Sequence, residues 1–257
     1  MCYYNRTDKL YIGGVMETYS QFLDRINSFE KKTLCLGDGN FAVNPSLVQK
    51  VSEANEFKPF YGDTVVFALD DSLKQKLFEC VRTLYSEAPQ CFCEMLAPHF
   101  FHVTLHDLSN SPRLKDIGEE TFDNEIKVLK AFYNMYKYAG DKIKMKSKCI
   151  FNMVNTSLVM GLYPTDEGEY LKLNRLYYFF DEIKKLGYPF TPHITLAYYN
   201  VNGFDSAAAR LLEKTVNKLN EQEIELELYA EKLYYQKFLD MNNYLDVISL
   251  GEYNTRR

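Results

Sequence analysis

Phe101-His102-Val103-Thr104-Leu105 and Pro192-His193-Ile194-Thr195-Leu196 carry one pattern twice, His-x-Thr-Leu with a β-branched residue at x, 91 residues apart. On an extended strand successive side chains point to opposite faces. His102 and Thr104 therefore share one face while Val103 and Leu105 take the other, and His193 and Thr195 stand against Ile194 and Leu196 in the same way. Each strand is expected to anchor in a core through its aliphatic side and to offer an imidazole and a hydroxyl on the other. Two of the four histidines in the chain are used in this pattern.

Outward from the motifs, the order of elements also repeats. Thr64–Leu69 reads as a buried strand, and Asp70 or Asp71 caps a helix with Leu73, Leu77, Val81 and Leu84 on one face. The first motif strand (100–107) follows, then a helix over 121–139 carrying Ile126, Leu129, Tyr133 and Tyr136, then a strand at 142–151. From Ser157 the order returns: a strand at 157–163, a helix from a capping box of Asp166 and Glu169 to Gly187, and the second motif strand at 193–199. A helix capped by Asp205 or Ser206 and strands near 223–237 and 244–250 close the chain. The two runs start 93 residues apart, against 91 for the histidines, which an internal duplication explains. The expected fold is α+β: a bilobal duplicated domain over 61–257, with lobes at about 64–153 and 157–250. Two mostly antiparallel sheets flanked by helices would face a central cleft, with the histidines on neighbouring central strands. Residues 1–60 read as an N-terminal extension packing on that domain, with a short helix in 17–29 and a turn cluster at Leu36-Gly37-Asp38-Gly39-Asn40.

Paired His-x-Thr strands resemble the signature of the two-histidine (2H) phosphoesterases, which include cyclic phosphodiesterases, RNA-end-processing enzymes and 2′-5′ oligonucleotide phosphodiesterases. The resemblance covers about Thr64 to Leu250, and Lys58-Pro59-Phe60-Tyr61-Gly62-Asp63-Thr64-Val65 looks like the lead-in of an uncharacterised bacterial branch. It implies the bilobal fold and hydrolysis of a cyclic phosphate or phosphodiester of a nucleotide or RNA end. It also implies that His193 activates the nucleophile while His102 protonates the leaving oxygen. In several relatives a basic residue stands three positions after the motif threonine; here Asp107 and Tyr198 stand there.

The residues support the same chemistry unaided. An imidazole has an ordinary pKa of about 6.5 and serves as base or acid near neutrality. Two imidazoles on one phosphate supply both functions, and Thr104 and Thr195 can donate to its non-bridging oxygens. Such a set needs no cofactor and no metal. Phe100 and His106, on the face of His102, and Tyr199, on the face of His193, are candidate substrate contacts, with core packing or a strand-end role as the alternative. Cys91 and Cys93 with His99 and His102 suggest zinc, but Cys-x-Cys is not the usual Cys-x2–4-Cys spacing. The rival functions are therefore a catalytically silent nucleotide-binding module and a zinc-dependent hydrolase.

A net charge of −5 lacks the basic footprint of proteins that grip long duplex nucleic acid, which leaves a small phosphoester, nucleotide or RNA end as the expected partner. No apolar run approaches a bilayer span, and no apolar segment follows Arg6 to make a secretory signal. The six scattered cysteines read as reduced thiols, and a cytoplasmic protein is expected. Lys142, Lys144, Lys146 and Lys148 form a basic stripe, and Glu223, Glu225 and Glu227 an acidic one. Guiding an anion, protecting an edge and pairing across strands are the three readings.

Overall fold

The computed structural model describes residues 17–29 and 40–255; of the expected turn cluster, all but Asn40 lies outside them. The chain runs α1 (Tyr19–Asn27), β1 (Tyr61–Ala68), α2 (Asp71–Glu87), β2 (His102–Ser111), α3 (Gly118–Met135), β3 (Lys142–Met153) and β4 (Ser157–Pro164). It continues with α4 (Glu167–Asp181), β5 (His193–Tyr198), α5 (Ser206–Leu219), β6 (Glu225–Tyr229), β7 (Leu233–Asp240), β8 (Asn243–Ser249) and α6 (Leu250–Thr255). Two four-stranded antiparallel sheets result, ordered β2-β1-β7-β8 and β5-β4-β3-β6. The fold is α+β, consistent with the duplicated 2H arrangement.

The sheets do not divide the chain between 153 and 157, where the lobe boundary was expected. β3 leaves the first run to pair with β4, and β7 and β8 return from the far end to pair with β1. The duplication survives as β1-α2-β2-α3 against β4-α4-β5-α5, with β3 joining the second sheet and β7 and β8, after β6, joining the first. Alternation within a strand reports burial and not which sheet it joins, so the exchange leaves no mark on local pattern.

The helices bury the side that the sheets require. α2 presents Leu77, Val81 and Leu84 as expected, and α5 packs Leu212 and Val216. Asp205 caps α5 by accepting from the amides of Ala207 and Ala208, and Asp166 caps α4 by accepting from the amide of Glu169. The carboxylate of Glu169 turns instead to the Lys144 amide (2.9 Å), and α4 ends at Asp181, short of Gly187. Of the stripe expected inside α3, Leu129 packs on the core, but Ile126, Tyr133 and, just past its end, Tyr136 are exposed, while Thr121, Asn124, Val128, Ala131, Phe132 and Met135 are buried.

Two of those buried groups, Thr121 and Asn124, explain the choice. The carboxylate of Asp63, 1% exposed on β1, accepts from the Ser109 amide (2.9 Å) and hydroxyl, Asn124 (3.4 Å) and the Tyr235 hydroxyl (2.9 Å). Tyr235 also reaches the Thr121 carbonyl at 3.3 Å. A buried carboxylate demands partners, and Asn124 is available only if this face of α3 turns inward. Burial still pushes the Asp63 carboxyl above its ordinary range, against the lowering by these hydrogen bonds.

The charged stripes meet across the β3–β6 ladder, which settles them as cross-strand pairs. Lys144 lies opposite Glu227 and Lys146 opposite Glu225, with Lys146 2.9 Å from both Glu223 and Glu225. Among the described residues of the N-terminal extension, 17–29 pack on α4 and the second sheet, while Phe60 stacks on Phe238 of β7. Thr18 caps α1 in a capping box with Gln21, and Phe22 and Ile26 bury against Tyr170. Phe29 stacks on Phe151, and Phe41 bridges and stacks with Phe204.

Candidate active site

The motif strands β2 and β5 are edge strands of their own sheets, not central ones, and they come together where the sheets meet. A cavity of about 720 Å³ opens between them, lined by His102, Thr104, His193 and Thr195 together. Each imidazole is fixed in the same way. Nδ1 of His102 donates to the Phe100 carbonyl, and Nδ1 of His193 to the Thr191 carbonyl, both at 2.7 Å. A carbonyl can only accept, so each ring carries its proton on Nδ1 and keeps the Nε2 lone pair for the cavity. Among the described residues neither the Thr104 nor the Thr195 hydroxyl has a hydrogen-bond partner.

The bond to the residue two positions earlier is local, but its supports differ. Phe100 closes a one-turn helix begun by Pro98. Thr191 is held from a distance: Arg25 on α1 donates to its hydroxyl and to the Phe190 carbonyl, each at 2.8 Å, while Glu17 holds the guanidinium with both oxygens.

Burial depresses both imidazoles. His102 falls to about 4, driven by desolvation and then by His193 and Lys74, against the bond to Phe100 and the charge of Asp107. His193 is also lowered by desolvation, with its bond to Thr191 and Asp107 opposing. The two rings repel a second proton on the pair, so one can enter neutral while the other is protonated.

One feature of both strands was hidden from alternation. In β2, Thr104 pairs with Val66 and His106 with Val65, so Leu105 is an extra residue. In β5, Thr195 pairs with Val159 and Ala197 with Leu158, so Leu196 is extra in the same place. Each bulge reverses which face later side chains take. Position three after the threonine therefore faces the cavity: Asp107 in β2 and Tyr198 in β5, both lining it. A second bulge at Leu108 brings Asn110 to the wall as well.

The same reversal corrects two expected substrate contacts. Tyr199 is not on the face of His193; it is fully buried, outside the cavity, among Phe41, Phe92 and Phe204. His106 is not on the face of His102. Its ring borders the cavity but is 1% exposed against Tyr177 and Phe180 of α4. Its Nδ1 bonds the Asp107 carbonyl at 2.7 Å, and Asp181 lies 3.9 Å from Nε2. Phe100 does line the cavity, beside Tyr244, whose ring meets His102 edge-on at 5.0 Å.

Sequence reasoning missed Lys50, Arg25, Tyr188 and Tyr244 in the wall; Asp107 was noticed only as a departure from relatives. Lys50 lies over the Phe60 and Tyr198 rings, 5.0 and 5.6 Å from their centroids. The suggested zinc cluster does not assemble. The Cys91 thiol points to the Ala208 carbonyl and Cys93 to that of Glu94, and burial pushes both up to about 12, which disfavours the thiolate. Among the described residues no three His, Cys, Asp or Glu side chains converge for a metal, and no helix is long and apolar enough to cross a membrane.

No family model matches the chain, and no curated protein matches it in sequence. Solved structures do match in shape. A conserved protein of unknown function from Agrobacterium tumefaciens aligns over 87% of this chain and 98% of its own, at 15% identity and TM-score 0.58. E. coli LigT, solved with 3′-AMP, aligns over 74% and 96% at 12% identity and TM-score 0.43. A protein described as a phosphoesterase aligns over 73% and 95% at 13% identity and TM-score 0.44. The likeness is one of fold.

Proposed function

We propose that this chain is a metal-independent phosphoesterase of the two-histidine kind, opening a cyclic phosphate or cleaving a phosphodiester of a nucleotide or RNA end. The observation that carries this reading is the matched pair. Two imidazoles in the same tautomer, each two residues from a threonine, border one cavity from two different sheets. Internal duplication alone would copy a structural histidine with its surroundings, but it would not bring both copies to the wall of one cavity.

In this reading a phosphate sits between the rings, with the Thr104 and Thr195 hydroxyls donating to its non-bridging oxygens as charge builds there. One Nε2 takes the proton of the attacking water or hydroxyl. The other, protonated, gives its proton to the departing oxygen. The family resemblance makes His193 the base. The same resemblance makes His102 the acid that gives its proton to the departing oxygen. The cavity exceeds the size of a phosphate, and its aromatic wall of Phe100, Tyr198, Tyr244 and Phe190 suits the stacking of a base or ring.

The test is turnover of 2′,3′-cyclic nucleotides, ADP-ribose cyclic phosphate and 2′-5′ oligonucleotides by the purified protein with EDTA present. Hydrolysis that survives the chelator is the expected result. Binding without turnover makes the chain a silent phosphate-binding module, and activity lost to EDTA and restored by zinc moves the chemistry to a metal.

A further inference from the structure

A cavity built to hold an anion has a carboxylate in its wall. Among the described residues Asp107 is the one carboxylate lining it, against the cations Lys50 and Arg25, and Arg25 is already occupied by Glu17. The position is built. The bulge at Leu105 turns Asp107 onto the face of His102 and Thr104, opposite Thr64, and the Tyr188 hydroxyl donates to its Oδ2 at 3.0 Å. Both motif histidines and three tyrosines of this region (Tyr177, Tyr188 and Tyr244) feel its charge. The equivalent place on β5 holds the uncharged Tyr198, so the duplicated bulge alone does not call for a carboxylate.

We propose that Asp107 is a specificity-determining residue that makes the cavity favour singly charged phosphodiesters over doubly charged phosphomonoesters. The inference rests on the phosphoesterase reading above. Hydrolysis of a diester adds water across one P–O bond and leaves a monoester and a hydroxyl. The monoester, with a second pKa of about 6, carries close to two negative charges at about pH 8. A fixed carboxylate repels the first charge of either ligand equally and the second charge of the monoester in addition. It therefore speeds release of the product and keeps common monoesters and polyphosphates from occupying the site. In an open, hydrated cavity with an effective dielectric of about 40, between protein and water, a unit charge about 6 Å away changes affinity by roughly 10-fold per ligand charge. Neutralising Asp107 should then tighten a diester by one such factor and a monoester by its square.

The experiment compares wild type, Asp107→Asn and Asp107→Glu at about pH 8. It measures KM for adenosine 2′,3′-cyclic phosphate and the competitive inhibition constants of adenosine 2′- and 3′-monophosphate. The isosteric amide changes charge and little else, and the ratio of the two constants cancels any general loosening of the site. Asp107→Asn should lower the ratio of monoester inhibition constant to diester KM about 10-fold, and Asp107→Glu should move it back toward wild type. If the amide does not fold, Asp107→Ser carries the same comparison. An unchanged or increased ratio in a wild type that does turn over the diester overturns this inference and leaves the phosphoesterase reading standing. A wild type that neither binds nor turns over any of the three ligands overturns both.

Discussion

In β2 the carbonyl that orients the imidazole belongs to Phe100, in a turn of the chain immediately before the strand. In β5 it belongs to Thr191, which a guanidinium 166 residues away in sequence holds in place. Behind β2 lies a buried polar network centred on Asp63, opposite Ser109 of the same strand. Behind β5 lie aromatic rings, with Tyr199 packed on Phe41, Phe92 and Phe204. Beyond their shared bulges one strand shows Asp107 to the cavity and the other Tyr198. The two imidazoles, their threonines, the carbonyls they donate to two residues earlier and the bulges beyond are duplicated, while what braces and surrounds them has diverged. In the proposed reading chemistry constrains the first set, and each brace needs only to fix a ring.

Four measurements would break or sharpen that comparison. His102→Ala and His193→Ala should each lower turnover ~10²–10⁴-fold while the protein stays folded, because Val103, Leu105, Ile194 and Leu196 hold the strands. A substrate whose leaving group is p-nitrophenolate needs no proton, so it should rescue His102→Ala and not His193→Ala. Rescue of His193→Ala alone would reverse the roles implied by the family resemblance. Unfolding of both variants would make these core histidines. Next, Thr104→Ala and Thr195→Ala should cost ~10–10³-fold each, similar in size if the halves are equivalent, since a neutral hydroxyl is a weaker oxyanion donor.

A smaller effect separates the two supports. Arg25→Ala should lower turnover roughly 10-fold by releasing Thr191 and with it the His193 ring. In a double-mutant cycle it should add nothing to His193→Ala but multiply with His102→Ala. Equal additivity with both would show Arg25 to be a general brace. Behind β2, Asp63→Ala should destabilise by about 1–3 kcal/mol in urea unfolding, since buried donors of Ser109 lose their acceptor. The folded carboxyl titrates above its unfolded value of about 3.9. Its contribution is therefore full below that pH and declines as pH rises through the raised folded value. Asp63→Asn should flatten this decline; a flat profile in the wild type would show the network to be fully compensated.

The motif residues and most elements were legible because they depend on local information: alternation, helical spacing, caps at Asp166 and Asp205. The α+β class followed from them. What was missed depends on partners far away. Alternation assigned Tyr199 and His106 to the cavity because a single extra residue, Leu105 or Leu196, reverses parity without a mark in composition. On α3 two apolar stripes compete, and the one with Ile126 and Tyr133 looks better until Asp63 claims Asn124. The wall residues Arg25, Lys50 and Tyr244 come from the extension and the last strand, so no spacing ties them to either motif.

The exchange of β3 and β7 bears on how the molecule is made. Tyr235 meets Asp63 across 172 residues, and β1 has no partner on that side until the end of the chain arrives. Contacts this distant in sequence form late, after the loop they close has given up its freedom. The first sheet therefore waits on the last strands, and the second cannot stand in for it, because β3 belongs to the segment made before. A nascent chain ending after β6 would own both His-x-Thr motifs and still have no finished wall around them. The wall around both motif strands is thus complete only once β7 and β8, which supply Phe238 and Tyr244, are in place.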